Sequence, residues 1–376
     1  MSRIVILRSR STAGLEPRVE RAARALQQEG HDVRVFLWDR ECAYPRREDR
    51  EGVRIRRLPL PAPYNRPILL LPMLWWMMAA FFATRGAKVV HASDLDTLPA
   101  ALAAKALGGR KVVYDIFDFY GDLITRPLAE RTRRALLKLE AGLAAFADVV
   151  LLPDSVRRGT LGPKFPRPVE IVMNVPRDEV FSEEQRAEFT LFYGGNLGPD
   201  RGLLEASEVV SGMEDVTFRV AGAGELEKPL RSLAEGSSSL EFLGQIDHPT
   251  LLRETARAHA VLAWYDPSVP ANRVASPNKL FEAMMLSRPL LVSDGTNAGE
   301  ITSLKRSGIT VPYGDMGAMR EAIVRLRDDP AHAASLGAAG RRAFESTFNW
   351  PVNEKRLQEA YRAVLAESAV EATPQK

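Results

Sequence analysis

The stretch ASPNKLFEAM, residues 275–284, does most to decide the fold of its half of the chain. Ser276 is a good N-cap residue and Pro277 suits the first helical position, so the pattern predicts a helix that begins here. Lys279 and Glu282 are three residues apart and therefore lie on one face of that helix. A cation in the first turn opposes the helix dipole, which suggests that an anion binds at this end.

Three glycine-bearing stretches come earlier, each at the end of a predicted strand: YGGNLGPDRG (193–202), AGAGE (221–225) and FLGQID (242–247). Glycines let backbone amides approach a phosphate closely, and Arg201 in the first stretch adds a cation. Together with Lys279 these loops favour a diphosphate, and Glu282 favours hydrogen bonds from a ribose diol. The alternatives are a glycine-rich turn, a solvated lysine and an exposed carboxylate.

Strand and helix patterns alternate along the chain in two series, separated by a polar, proline-bearing stretch near residues 177–188. Strands that alternate with helices of this length indicate parallel sheets with right-handed crossovers. The sequence therefore predicts an α/β fold with two doubly wound, Rossmann-like domains, over residues 1–180 and 188–348. A C-terminal helix and tail follow over 349–376. Ligands of such sheets bind outside the carboxyl ends of the strands, and we expect a cleft between the domains there.

The composition is that of a soluble globular protein, with 45% hydrophobic and 26% charged residues among 376. The single cysteine, Cys42, excludes an intrachain disulfide and a cysteine metal cluster, and it fits a reducing cytosol. Met1 leads directly into the strand-like run RIVILRS, so no secretory signal is expected.

Charge is distributed unevenly, since residues 1–177 carry a net charge of +11 and the remainder −8. This favours an anionic surface or substrate for the first half, although scattered solvated arginines would give the same count. Aromatic residues do not alternate with the basic ones, so no nucleic-acid partner is expected. The uncharged run PILLLPMLWWMMAAFFA (67–83) is short for a membrane span and contains Pro72. A core helix, an interfacial helix and a span all remain open for it.

The order of these motifs resembles that of retaining glycosyltransferases of the GT-B fold, in glycosyltransferase family four, also described as group 1. The likeness covers nearly the whole chain, and SPNKLFEAM followed by RPLLVSD (288–294) is its most specific part. It is similar to a "PNKLFE" subgroup of that family. Three stretches of the first half support the resemblance: EPRVERAARALQQEGHDVRV (16–35), VVHASDLDTLPAA (89–101) and VVYDIFDFY (112–120).

The resemblance implies a role for each matched residue. Arg201 and Lys279 would hold the donor diphosphate, which is the leaving group, and with Asp118 they would form the catalytic set. Asp94, Phe117 and Asp118 would face the acceptor. No metal and no cofactor is expected besides the nucleoside-diphosphate sugar used as donor. The residues that would bind this donor are Gly14, Gly194, Gly195, Arg201, Gly222, Gly244, Gln245, Ile246, Ser276, Asn278, Lys279, Leu280 and Glu282.

Several positions depart from the commoner family pattern. Val274 stands where a glutamate that contacts the donor sugar is frequent, and Asn272 or Arg273 could replace it. Phe117 stands where a histidine is frequent, and Gly195 where the loop often carries a basic residue. A catalytically silent homologue that binds a nucleotide sugar or a partner is therefore a second hypothesis. A two-domain NAD oxidoreductase is a third, although the full glycine fingerprint is missing.

The function implied is transfer of a hexosyl or related sugar to an acceptor, with retention of the anomeric configuration. The acceptor would be lipid-linked or a saccharide, in the assembly of cell-surface polysaccharide or glycolipid. We expect a cytoplasmic protein with peripheral contact to the inner face of the membrane through residues 46–85. Asp94 and Asp96 form an Asp-X-Asp pattern that chelates metal in another glycosyltransferase fold. Here they precede a predicted helix, whose N-terminus favours acids.

Overall fold

The computed structural model describes residues 1–11, 15–62, 70–123, 130–179, 181 and 184–371, with the backbone alone for residues 70, 123 and 367–371. The chain divides into two compact units. Unit 1 comprises residues 1–174 together with 353–376, and unit 2 comprises residues 175–352.

Strands and helices alternate through unit 1. Its elements are β1 (Arg3–Arg8), α1 (Pro17–Gln28), β2 (Asp32–Asp39), β3 (Arg47–Arg50), β4 (Val53–Pro59), α2 (Leu70–Ala83), β5 (Val89–Ser93), α3 (Leu98–Gly108), β6 (Lys111–Asp115), α4 (Tyr120–Leu123), α5 (Glu130–Ala144), β7 (Val149–Leu152), α6 (Arg158–Leu161) and β8 (Val169–Ile171).

The strands of unit 1 form one sheet in the order β3-β4-β2-β1-β5-β6-β7-β8. Its central strands are almost entirely buried, as expected of parallel strands covered by helices on both faces. One edge departs from the predicted parallel pairing, because β3 pairs antiparallel with β4. Glu51 and Gly52 join these two strands with positive φ angles of 50° and 84°, which suits a tight hairpin turn.

Unit 2 repeats the alternation. Its elements are β9 (Phe189–Gly194), a 3-10 turn (Pro199–Arg201), α7 (Leu203–Ser211), β10 (Val216–Ala221), α8 (Glu227–Glu235), β11 (Leu240–Gly244), α9 (His248–Arg257), β12 (Ala260–Ala263), α10 (Pro270–Val274), α11 (Asn278–Met285), β13 (Leu290–Ser293), α12 (Asn297–Lys305), β14 (Gly308–Val311), α13 (Met316–Asp328) and α14 (Pro330–Ser346).

The strands of unit 2 form a second sheet in the order β11-β10-β9-β12-β13-β14, and each pairing is parallel. Counted along the chain this is the order 3-2-1-4-5-6 of a dinucleotide-binding Rossmann sheet. The strand order reverses between β9 and β12, where such sheets bind ligands. The prediction of two doubly wound α/β domains is confirmed.

The last helix, α15 (Trp350–Glu371), returns to unit 1. Asn353 accepts a hydrogen bond from the Met173 amide (2.8 Å), and the Tyr361 hydroxyl lies 2.6 Å from Nδ1 of His91. Gln358 donates to the Ala25 carbonyl (3.3 Å). The predicted C-terminal helix that crosses back to the first domain is therefore present.

Candidate functional site at the carboxyl edge of the second sheet

Glycines bring the loops after β9 and β10 into direct backbone contact. Gly195 has φ +144° and donates its amide hydrogen to the Ala221 carbonyl (2.9 Å). Gly222 has φ +142°, and a Cβ atom there would lie 1.7 Å from the Gly195 carbonyl oxygen. The Gly222 amide in turn donates to the Gly244 carbonyl (2.8 Å). Only glycine permits both the positive φ angle and this close approach of two backbones. The hydrogen bonds place Gly195, Gly222 and Gly244, all predicted to bind the donor, side by side.

Lys279 points from the start of α11 toward this glycine loop. Its Nζ lies 3.1 Å from the centre of the Tyr193 ring and 5.3 Å from that of Tyr265. The residue is only 8% exposed, and Nζ has no hydrogen-bond acceptor among the residues that the structure describes. A Cβ atom on Gly195 would lie 3.5 Å from Nζ, so the amine faces the loop.

The electrostatic surroundings of Lys279 disfavour its charge. Burial lowers the pKa of this lysine well below its ordinary value, and the nearby Arg201 lowers it further, whereas Glu282 acts in the opposite direction. An amine buried without an acceptor is costly, and an incoming anion would remove that cost. This position is therefore built to receive negative charge.

Arg201 is held beside Lys279 by a fixed polar network. Its Nη1 donates to Oδ1 of the buried Asn272 (2.9 Å), and its guanidinium lies 4.2 Å from the centre of the Tyr265 ring. The Asn272 amide donates to Oδ2 of Asp200 (2.8 Å). Asp200 also lies 3.6 Å from Nε of Arg201. The network fixes a second cation near the lysine, as a diphosphate site requires.

Glu282 is 6% exposed and lies one turn into α11. Its Oε1 is 2.9 Å from Nε2 of His248, whose side chain is 58% exposed. Because a carboxylate only accepts hydrogen bonds, Nε2 carries the hydrogen of this contact. Sequence reasoning missed His248, although its position four residues after Gly244, at the same strand end, was an available signal.

The start of α11 differs in detail from the prediction. The helix begins at Asn278, and its N-cap residue is Pro277, whose side chain makes no capping hydrogen bond. Ser276 does not act as the predicted N-cap, because its hydroxyl accepts a hydrogen bond from Asn297 (2.7 Å). Leu280 is fully buried, and its amide donates to the Pro277 carbonyl (3.0 Å).

The remaining predicted donor residues line the ends of β9 and β11. Gly194 packs against Leu251, which lies 2.9 Å from the position of an added Cβ atom. Gly244 has φ +67° with open space beside it. Gln245 is exposed, and Ile246 is half-buried. Their roles in binding the base stay predictions. Gly14 lies outside the described residues.

The predicted acceptor residues lie in unit 1. Asp94 has φ +68° and forms a buried ion pair with Arg8. Its Oδ1 accepts a hydrogen bond from the Phe117 amide (2.8 Å), and the Arg8 guanidinium lies 4.4 Å from the centre of the Phe117 ring. Burial raises the pKa of Asp94 to about 7, against the opposing effect of Arg8. The Asp118 carboxylate, half exposed, pairs with Arg157.

Both carboxylates of the Asp-X-Asp pattern contact other side chains of unit 1. Asp96 accepts a hydrogen bond from the Ser9 hydroxyl, and Asp94 is paired as described above. Over the described ranges no group of three or more His, Cys, Asp or Glu side chains is arranged to hold a metal ion. His91 lies in the middle of β5, where it is buried and its Nε2 lies 3.3 Å from Asp115.

Comparison with known families agrees with this architecture. Residues 13–175 match the model of the glycosyl transferase 4-like domain, and residues 189–329 match the model of glycosyl transferases group 1. The two matches fall on unit 1 and unit 2 respectively and together cover most of the chain.

Two curated relatives match parts of the chain. A GDP-mannose-dependent monoacylated alpha-(1-6)-phosphatidylinositol monomannoside mannosyltransferase of Corynebacterium glutamicum is 26% identical over 168 residues, 43% of this chain and 42% of that protein. A capsular polysaccharide biosynthesis glycosyltransferase, CapM of Staphylococcus aureus, is 24% identical over 199 residues, 51% and 50% of the two chains. The chain thus spans about half the length of the curated relatives it matches.

Likeness to a solved structure extends over the whole chain. Sucrose-phosphate synthase from Thermosynechococcus elongatus superposes with a TM-score of 0.79 at 18% identity, covering 98% of this chain and 100% of that one. At this level of identity the likeness concerns the fold, which is the GT-B arrangement of two Rossmann-like domains.

Proposed function

Because the chain belongs to the group 1 glycosyltransferases, we propose that it transfers a sugar from a nucleoside-diphosphate sugar to an acceptor. One observation carries this proposal. The buried Lys279 amine has no acceptor among the described residues and faces a glycine loop, with Arg201 fixed beside it. A donor diphosphate supplies the acceptor that Lys279 lacks and adds negative charge beside Arg201, whose Nε lies 3.6 Å from Asp200.

The site residues take distinct parts in the proposed reaction. Lys279, Arg201 and the first amides of α11 stabilise the charge that develops on the leaving diphosphate. Glu282 accepts hydrogen bonds from the ribose diol. Backbone groups of residues 244–246 contact the base.

We further propose that the reaction proceeds with retention, as the resemblance to retaining glycosyltransferases of family four implies. The bond from the anomeric carbon to the diphosphate breaks, and a bond to the acceptor oxygen forms on the same face of the sugar. The acceptor proton passes to a phosphate oxygen, so that neither a protein nucleophile nor a metal ion takes part. Asp118 and Asp94 contribute from the acceptor side.

The acceptor we propose is a lipid-linked or saccharide molecule used in glycolipid or cell-surface polysaccharide assembly. The names of the two curated relatives support this, because one denotes a phosphatidylinositol mannoside as substrate and the other capsule synthesis. Of the helices that the structure describes, none has the length and hydropathy of a bilayer-spanning segment. We place the protein at the cytoplasmic face of the membrane, with peripheral contact through described parts of residues 46–85.

A silent, nucleotide-sugar-binding homologue is the second candidate. The observation that favours it is Phe117, whose ring lies beside two guanidinium groups where a histidine is common in the family. Release of free nucleoside diphosphate from a donor in the presence of any acceptor excludes this candidate.

The test is a thermal-shift panel of UDP, GDP, ADP and dTDP and their common sugars, with magnesium and with a chelator. A ligand that binds only the folded state raises the melting temperature. We expect one base to give a clear shift that the chelator leaves unchanged. Lys279→Ala should weaken that binding by roughly 1.5–3 kcal/mol, about 10- to 150-fold.

The matched control is Lys228→Ala, which removes an exposed lysine from α8 of the same unit. This variant should bind like the wild type. Wild-type affinity in Lys279→Ala would show that the lysine does not hold the diphosphate. A shift that requires magnesium would overturn the metal-independent reaction.

A further inference from the structure

Helix α2 buries one face and exposes the other. Trp76 and Ala80 are fully buried, and the Trp76 ring stacks against Phe36 and Trp38 with ring centres 5.3 and 5.6 Å apart. On the opposite side, five large apolar side chains form a stripe in which each is 49–70% exposed: Leu71, Leu74, Trp75, Met78 and Phe82. Their spacing of three and four residues places them on one helical face.

Exposed arginines adjoin this stripe. Arg46, Arg47, Arg56 and Arg85 are exposed, and within the described part of the chain no carboxylate pairs with any of them. Arg57 lies within the predicted contact region 46–85 but does not belong to this surface. Its side chain is buried, and its Nη1 donates to Glu48 (2.7 Å), because the register of the hairpin turns it inward.

The apolar stripe and the arginines meet at a shared groove of about 680 Å³. Trp75, Met78 and Phe82 line one side of it, and Arg47 and Arg56 of the hairpin line the other. The Arg85 guanidinium lies 4.6 Å from the centre of the Phe82 ring. The surface therefore combines an apolar strip with adjacent unpaired cations, which is the pattern of helices that lie in a membrane interface.

We propose that α2 and the β3–β4 hairpin form a docking surface for a bilayer that contains anionic phospholipids. The helix lies in the plane of the headgroups, with its stripe at the acyl boundary and Trp75 at headgroup level. The four arginines bind lipid phosphates. Docking would bring the protein to an acceptor presented by the membrane, and in this respect the proposal rests on the proposed function.

Charge complementarity selects this occupant over a second protein molecule. A protein partner would need a cluster of carboxylates beside an apolar strip, and a second copy of the chain would place the same arginines against each other. An anionic bilayer offers acyl chains and phosphates in the required layers. Described residues 70–83 of α2 are too few for a span, so the helix lies on the membrane and does not cross it.

Sedimentation of the full chain with vesicles tests the proposal. We expect binding to vesicles of equal parts phosphatidylcholine and phosphatidylglycerol, weaker binding at high salt, and none to phosphatidylcholine alone. Arg46→Glu/Arg47→Glu/Arg56→Glu should lower the partition coefficient by at least ~100-fold, since each arginine near the surface contributes roughly a factor of five. Trp75→Ser/Met78→Ser should lower it by more than about tenfold.

Matched controls make the same chemical changes elsewhere in unit 1. Leu139→Ser/Phe146→Ser alters two exposed apolar residues, and Arg131→Glu/Arg134→Glu/Arg158→Glu reverses three exposed arginines. Both should bind vesicles like the wild type. All variants should keep the wild-type thermal shift with nucleotide, which shows that each is folded and separates this test from that of the donor site.

Three outcomes would overturn the docking surface. The wild type fails to sediment with anionic vesicles, the stripe variant sediments like the wild type, or the stripe instead mediates a concentration-dependent dimer that Trp75→Ser/Met78→Ser abolishes. Vesicle binding without any nucleotide shift would leave the docking surface in place and reject the proposed transferase.

Discussion

The carboxyl edges of the two sheets both carry buried charges, but they satisfy them differently. In unit 1 each central cation faces a carboxylate: Arg8 pairs with Asp94, and Arg18 pairs with Asp115. In unit 2 the corresponding cation, Lys279, contacts two aromatic rings and has no acceptor within the described residues. The buried cations of unit 1 are thus neutralised by carboxylates of the protein, whereas Lys279 would be neutralised by a bound anion. We call the first edge closed and the second edge open in this sense.

The difference has an energetic meaning. Removing one partner of a buried ion pair leaves an uncompensated charge and is strongly destabilising. Removing a buried amine that has no partner relieves a desolvation penalty. Losing one partner at the first edge is therefore costly. Under the proposed function, the second edge gives up stability in order to bind an anion, as functional sites commonly do.

Arg18→Met should have the largest effect on stability, lowering the free energy of unfolding by about 3–5 kcal/mol. The guanidinium donates to both oxygens of Asp115 and to the Val172 carbonyl (2.6 Å). The variant removes all of these hydrogen bonds. Urea unfolding followed by tryptophan fluorescence measures the change. On the same helix, Arg24→Met removes solvent-accessible pairs with Glu20 and Glu51 and should cost less than about 1 kcal/mol. Equal losses in the two variants would contradict the buried network.

Lys279→Met should stabilise the ligand-free protein at neutral pH. The folded protein holds the pKa of this lysine well below its ordinary value, so the unfolded chain binds more protons between those two pKa values. Wild-type stability therefore rises with pH across that window. The variant lacks this rise. Below the window its free energy of unfolding should exceed that of the wild type by roughly 1.4 kcal/mol for each unit by which folding lowers the lysine pKa.

Melting temperatures from about pH 6 to 10 check the lysine prediction. The advantage of Lys279→Met should shrink as the pH rises toward the ordinary lysine pKa. A difference from the wild type that stays constant with pH would show that the lysine is charged in the folded protein and that the second edge is not open.

His248→Ala should have the smallest effect, a loss in nucleotide affinity of about 0.5–1.5 kcal/mol with little change in stability, because the ring is mostly exposed. Under the proposed function, this imidazole holds the Glu282 carboxylate in place for the ribose. A double-mutant cycle with Glu282→Gln, read by nucleotide dissociation constants, isolates this contact. Additive losses would mean that His248 acts independently of Glu282.

Sequence periodicity was sufficient for the two α/β domains, because strands buried on both faces are continuous apolar runs. It missed β3, whose residues REDR carry no apolar alternation, and it therefore missed the antiparallel edge. The motifs named Arg201, Lys279 and Glu282 as candidates, and their donor roles stay predictions. Asn272 was a candidate for contacting the donor sugar, and the structure places it as the hydrogen-bond partner of Arg201. Tyr193 and Tyr265 were not predicted as contacts of Lys279, since nothing local shows which way a strand-end aromatic points.

The sequence by itself determined the fold class and the residue types at the strand ends, because these depend on local periodicity and on glycine positions. Only the tertiary structure decided that Lys279 lacks an acceptor among the described residues while Arg18 has one. It likewise decided that Arg57 is buried while Arg56 is exposed. Pairing depends on neighbours far apart in the chain, such as Arg201 and Asn272 at 71 residues, and their approach is fixed by strand order and helix packing.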